Sequence, residues 1–186
     1  MSKLVVSEFV TLDGVFEDPG GGEDVGYGGW AFQFERGPEG DQFKAEELRA
    51  ADALLLGRVT YEGFAAAWPK MRSDEFGQKM NSMPKYVVSS TLEDPEWENT
   101  TVIGFDGVAE LRSDLVGDLL VAGSGRLVTA LTDHNLVDEY RLMVYPILLG
   151  QGRRLFDGGT ASRSLRLASS QPAGETLILT FEPQEA

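Results

Sequence analysis

Three short segments suit the holding of an anion: two combine glycine with hydroxyl and cationic side chains, and one is a run of hydroxyls. The first is Gly57-Arg58-Val59-Thr60-Tyr61-Glu62, directly after the apolar run Ala53-Leu54-Leu55-Leu56. Glycine lets a ligand approach the backbone, a helix beginning there favours negative charge, and Arg58 and Thr60 can add a cation and a hydroxyl. The same residues also read as a tight strand-to-helix turn with Thr60 as its cap. The second segment is Ser89-Ser90-Thr91, at the end of the run Tyr86-Val87-Val88. Its hydroxyls can hold a phosphate or can cap a turn. The third is Gly123-Ser124-Gly125-Arg126, between the run Leu119–Ala122 and a helical pattern. Free N–H groups at such a junction can cradle phosphate, and the same residues also read as a plain Gly-rich turn. A dinucleotide-binding fingerprint of the Rossmann type would place a third glycine where Val128 stands, so a phosphate loop of another kind is the better reading. Three strand ends of one parallel sheet point the same way, and their loops can converge on one extended anionic ligand such as a dinucleotide.

The rest of the chain limits the chemistry. Its 186 residues carry 30 acidic and 16 basic side chains, a net charge of −14. Long-range attraction to nucleic acid or to an anionic membrane is therefore not expected, and any phosphate must be held by local groups. There is no cysteine and one histidine, His134. Disulfides, thiolate nucleophiles, and cysteine or histidine metal clusters are excluded, and no metal site is expected. The segment Met1–Glu8 lacks the pattern of a signal peptide, and no apolar stretch approaches the length of a membrane span. A soluble cytoplasmic protein is expected, with residues 1–186 forming a single domain.

The elements that must position these segments follow from periodicity. Lys3–Thr11 reads as a strand ending at the turn Asp13-Gly14. Pro19–Trp30 holds six glycines and reads as a surface loop that packs no core, long enough to be functional. Gly37-Pro38-Glu39 opens a helix running to about Ala50, and Val59–Ala67 is a second. Lys85–Ser89, Thr100–Ile103 and Asp118–Ala122 read as strands, with a short helix through Val108, Leu111 and Leu115. The helix after Gly125 ends near Asn135, Glu139–Tyr145 is a strand, and Glu175–Phe181 pairs with Ser164–Ser169 as a hairpin. Alternating strands and helices followed by strands alone indicate an α/β fold with a mostly parallel sheet and an antiparallel end.

The ordered set Gly57-Arg58-x-Thr60-Tyr61-Glu62, Ser89-Ser90 and Gly123-Ser124-Gly125 resembles the cofactor motifs of the dihydrofolate reductase fold. Together with Leu12-Asp13-Gly14-Val15 and the late segment Pro146–Gly152 before Leu155-Phe156, it is similar to the reductase domain of the bifunctional riboflavin-biosynthesis deaminase–reductase, and the likeness spans nearly the whole chain. The resemblance implies a three-layer fold with helices on both faces of the central sheet. It implies NADPH as hydride donor and a small pyrimidine- or pterin-like substrate, as for 5-amino-6-(5-phosphoribosylamino)uracil reductase. It puts Gly57, Arg58 and Thr60 at the cofactor phosphates and Ser89 and Ser90 near the adenosine ribose phosphate. Gly123, Ser124, Gly125 and Arg126 would cradle the pyrophosphate, and Asp13, Gly14 and Val15 would border the nicotinamide. The Gly-rich loop would be a mobile cover, and the protein a homodimer. The family's acid on the first helix falls nearest to Asp41, though the register around it differs, and a solvated helix-face acid is the other reading. The deaminase's zinc site has no ligands here.

His134 reads as a structural or surface residue at a helix end. Trp30, Trp68 and Trp97 read as packing anchors, with Trp30 placed to line a pocket beside the loop. Arg153 and Arg154 can meet an anionic substrate or form a solvated pair. The expected activity is an NAD(P)H-dependent reduction. The alternative is a non-catalytic nucleotide-binding or dimerisation module that keeps the fold.

Overall fold

The computed structural model describes residues 2–23, 25–157 and 162–184. In chain order the elements are β1 (Leu4–Thr11), α1 (Gly37–Ala50), β2 (Ala51–Gly57), α2 (Arg58–Ala67), α3 (Glu75–Ser82), β3 (Lys85–Val88), β4 (Thr100–Ile103), α4 (Val108–Asp114), β5 (Asp118–Ala122), α5 (Gly125–Asp133), β6 (Glu139–Tyr145), β7 (Leu165–Ala173) and β8 (Thr176–Pro183). The strands form one sheet in the order β4-β3-β2-β5-β1-β6-β8-β7. The first six run parallel, and β8 joins β6, and β7 joins β8, in antiparallel pairing.

Alternation along the central strands sends side chains into two cores. Leu4, Val6, Val10, Leu119 and Val121 pack with Leu127, Val128 and Leu131 of α5 and Val108 of α4. Val5, Leu54, Leu56 and Leu120 pack with Leu48 of α1, Tyr61 of α2 and Met80 of α3. Leu4, Val5 and Val6 are fully buried, which is why β1 reads as an unbroken apolar run at its start. Each such side chain contributes roughly 1.5–3 kcal/mol by leaving water.

The helix α3 is absent from the reading of the sequence. Its start is marked by Asp74, whose carboxylate accepts the Gly77 N–H at 2.7 Å, but Gly77 interrupts the helical pattern. That glycine is required by space: a Cβ there would stand 2.1 Å from the Met71 carbonyl oxygen. The hairpin is also longer than read, with β7 reaching Ala173. Lys85 opens β3 fully buried, with Nζ donating to the carbonyls of Asn81, Met83 and Glu98 at 2.5, 2.9 and 3.0 Å and lying 4.3 Å from the centre of the Trp97 ring. Among the described residues, no helix is long and apolar enough to cross a membrane.

Candidate functional site at the strand ends

The parallel strands end along one edge in the order β4, β3, β2, β5, β1, β6. From β1 the chain crosses the sheet by α1, and from β5 it crosses by α5 on the opposite face. The neighbouring ends of β5 and β1 are therefore the switch point of the chain crossings, the position at which α/β sheets take up ligands.

The two glycine-containing segments meet here. The Gly57 N–H donates to Ser124 Oγ at 2.8 Å, so the end of β2 is tied to the loop after β5. Ser124 holds φ at +71°, unusual for a residue with a side chain. Gly123 has φ +68°, and a Cβ there would lie 2.7 Å from Thr60 Cγ2, so only glycine satisfies both the backbone and the space. Thr60 thus packs on Gly123 and does not cap its helix: Gly57 and Ser124, the N-caps of α2 and α5, make no side-chain cap bond. Two uncapped helix N-termini side by side favour an anion between them. Gly125, the first residue of α5, lies under the ring of Phe16, where a Cβ would come within 2.4 Å of Cζ.

The turn after β1 is braced by the late segment that the sequence singled out separately. Asp13 Oδ1 accepts the Thr11 hydroxyl at 2.6 Å and the Leu149 N–H at 3.2 Å, and Oδ2 accepts the Gly150 N–H at 2.8 Å. The Thr11 bond, against partial burial and with the two N–H groups, lowers the Asp13 pKa to about 2. Val15 pairs with Arg154 across the same junction, and Leu155 N–H donates to the Gly14 carbonyl at 3.0 Å. Asp13, Gly14 and Val15 thus stand at the end of β1, with the Asp13 carboxylate engaged in holding Leu149 and Gly150.

The Gly-rich stretch is anchored at several points. Asp18 Oδ1 accepts the N–H groups of Gly22 and Glu23 at 2.6 and 3.1 Å, and its carbonyl accepts that of Gly29 at 2.9 Å. Glu17 binds the Tyr27 hydroxyl at 2.5 Å, the Arg153 N–H at 2.9 Å and the Arg153 guanidinium. Burial works to raise the Glu17 pKa, but these bonds outweigh it and hold it below the usual value. The expectation that nothing in this stretch packs a core is corrected at its end. Trp30 is fully buried against Tyr145 and Ile178, its indole N–H donating to the Glu17 carbonyl at 2.9 Å, and a ring so large and apolar is drawn inside.

Other expected site residues stand as follows. Arg58 pairs with Glu62 at 3.0 Å, both half exposed. The Ser89 hydroxyl accepts the N–H groups of Thr91 and Leu92 at 3.1 and 3.0 Å, which is turn chemistry, and Ser90 is exposed beside it. Both lie one strand over from Gly57, which pairs with Val88. Arg126 is exposed on the first turn of α5. Asp41 faces solvent on α1, paired with Arg36 at 2.6 Å, its side chain 66% exposed. His134 caps the end of α5, with Nδ1 2.8 Å from the Ala130 carbonyl. Arg153 binds Glu17 and Glu23, and Arg154 Nε donates to the Asp13 carbonyl at 2.9 Å, so both brace loops.

Sequence reading missed the buried polar groups of β1 and α1. Glu8 is 5% exposed, and its Oε1 has no hydrogen-bond partner. Burial pushes its pKa up to about 8, with the Gly123 N–H and Lys44 opposing and Glu47 assisting. On the other face of β1, Ser7 Oγ donates to Glu47 at 2.9 Å and accepts from Lys44 at 2.8 Å, with Arg141 3.6 Å from Glu47. The available signal was a charged residue inside a Val- and Phe-rich strand, in step with the apolar Leu4, Val6 and Val10.

Known proteins place this arrangement in a family. The chain is 26% identical over 182 residues to the uncharacterized protein YwjB of Bacillus subtilis (strain 168), covering 96% of this chain and 97% of that one. It superposes on a protein assigned to riboflavin biosynthesis from Shewanella sp. PV-4 with a TM-score of 0.75, 22% identity and full coverage of both chains. It also superposes on the dihydrofolate reductase of Enterococcus faecalis complexed with NADP(H), with a TM-score of 0.61 and 13% identity over 98% of this chain and 97% of that one. The fold is dihydrofolate-reductase-like, an α/β arrangement with a mostly parallel sheet and one antiparallel end. The model of the family described as RibD C-terminal domain matches residues 2–179, and the chain belongs to that family.

Proposed function

We propose that this protein is a reductase that takes NADPH across its strand ends and transfers a hydride to a small pyrimidine- or pterin-like heterocycle. The observation that carries the reading is the bond from Gly57 N–H to Ser124 Oγ, which sets the uncapped N-termini of α2 and α5 side by side. Their free N–H groups, with Arg58 and Arg126, are suited to the cofactor's pyrophosphate. Gly57, Gly123 and Gly125 let the loops close on one another, since a Cβ at any of them would meet neighbouring side chains at 3.3 Å or less, and so the two helix N-termini can lie close enough to share one phosphate group. Ser89 and Ser90, one strand further out, suit the adenosine ribose phosphate.

Bound there, the nicotinamide supplies a hydride. The chain's own work is placement. The segment Asp13–Val15, held by Leu149, Gly150 and Arg154, forms a firm wall at the β1 side of the switch point. The Gly-rich stretch, tethered through Glu17 and Asp18, is suited to excluding water once a ligand is in place. Titration with NADPH followed by nicotinamide fluorescence tests the reading: micromolar binding supports it, and no binding at millimolar cofactor overturns it.

We also propose a homodimer through β7. From Leu165 to Pro172 this edge strand is exposed on both faces, with Leu165 and Leu167 38% and 51% exposed. An open apolar edge is normally covered. Sedimentation at micromolar concentration should give the dimer mass, and a Leu167→Lys variant the monomer mass.

A further inference from the structure

Glu8 stands where the reductase reading most needs a proton. Leu4, Val6 and Val10 of β1 face the core shared with α5, and Glu8 falls on the same face of the strand by alternation. Its register partner on β6 is Leu142, and the pairing of Ser7 with Ala122 brings Glu8 beside Gly123. The carboxyl therefore lies at the β5–β1 switch point, with its Oε1 buried and unpartnered. A buried polar atom without a partner is costly, so such an atom marks either strain or a place where something binds.

The strand order says which end of a ligand comes here. A dinucleotide with its ribose phosphate at β3 and its pyrophosphate over β2 and β5 places its remaining end at β1, because the ends run β3, β2, β5, β1. Resting on the reductase reading, we propose that Glu8 senses the charge of the nicotinamide ring: its Oε1 keeps a proton while the ring is reduced and neutral, and loses it to water when the ring is oxidised and cationic. The O–H bond breaks, the proton goes to solvent, and the carboxylate left behind balances the positive ring. In the reduced complex the same proton is held at the redox end, available to the substrate atom that accepts charge.

The surroundings suit a group that changes charge. Lys44 and Glu47 of α1 are the charged residues that act on it, with opposite signs. α5 and β6 present Leu127, Val128, Leu131 and Leu142 to the core on its face, and the β5 end offers the Gly123 N–H. A carboxyl in that setting is neutral near pH 7 and responds strongly to one added charge.

The test is calorimetric titration of the 186-residue chain with NADP+ and with NADPH, each in two buffers of different ionisation heat near pH 7. NADP+ binding should release about one proton per site more than NADPH binding, and NADP+ affinity should rise about tenfold per pH unit over roughly pH 6 to 7.5 beyond any change for NADPH. Ionisation of the cofactor's own phosphate is common to both and cancels. Glu8→Gln should bind both cofactors and abolish the difference. Equal proton counts for the two cofactors in the unaltered protein overturn the proposal, as does a difference that persists in Glu8→Gln. If the variant does not fold, the comparison in the unaltered protein still decides. Absence of binding by either cofactor overturns the reductase reading itself, a result distinct from equal proton counts.

Discussion

Ser124, held at φ +71°, accepts the Gly57 N–H at 2.8 Å and so joins two strand ends that lie 67 residues apart in sequence. The left-handed backbone costs a non-glycine residue about 1–2 kcal/mol, and the hydrogen bond returns about 1 kcal/mol. Ser124→Ala keeps the strain and loses the bond, whereas Ser124→Gly loses both. The glycine variant is therefore expected to be the more stable by about 1 kcal/mol, the reverse of the helix-interior order. Denaturant unfolding of the two variants measures this, and an alanine variant as stable as the glycine one would show that the turn holds no strain. Both should bind NADPH more weakly, because Gly57 loses its anchor.

Arg58 and Glu62 form a half-exposed pair one helical turn apart. Such a pair adds little to stability, so Arg58→Ala should leave the melting temperature unchanged. On the proposed function it also removes a charge-assisted bond to the cofactor, and NADPH affinity should then fall roughly ten- to a hundredfold. Glu62→Gln frees the guanidinium and should raise affinity a few fold. Fluorescence titration of both variants checks the pair, and unchanged affinity in both would remove Arg58 from the site.

Gly125 and Phe16 separate packing from binding. Gly125→Val would drive a side chain into the Phe16 ring, since even a Cβ falls 2.4 Å from Cζ. Stability should drop by about 1–3 kcal/mol through overpacking, and NADPH binding should be lost. Adding Phe16→Ala relieves the collision, so the double variant should recover part of the stability and none of the binding. Melting curves alongside titrations distinguish the two effects. Recovery of binding in the double variant would mean that Gly125 serves the Phe16 contact alone.

Asp13 governs acid stability at the β1 end. Its pKa is lowered to about 2, so its contribution is present above the ordinary carboxylate value of 3.8 and is lost as pH falls through 2. Asp13→Asn should destabilise the protein at pH 7 by about 1–3 kcal/mol, because the Leu149 and Gly150 N–H groups lose a charged acceptor. Melting temperatures of the two proteins should converge on acidification below roughly pH 3. A gap that stays constant down to pH 2 would count against an ionised brace.

Much of this fold is legible in the residues. The runs Ala53–Leu56 and Leu119–Ala122 are apolar without alternation, as strands covered on both faces must be, and their following glycines mark where each strand ends. α3 escaped because Gly77 breaks its pattern for a steric reason that lies in Met71, outside the helix. Within the site, local sequence determined which loops carry glycine and hydroxyl groups, since turn chemistry is short-range. Tertiary structure decided the partners. Asp13 meets Leu149 and Gly150 from 136 and 137 residues away, and Phe16 covers Gly125. Glu8 stands in step with Leu4, Val6 and Val10 on a strand whose two faces are both covered, and that covering leaves it 5% exposed. Which groups are neighbours, and which lose solvent, is set by chain crossings, and no window of adjacent residues carries that information.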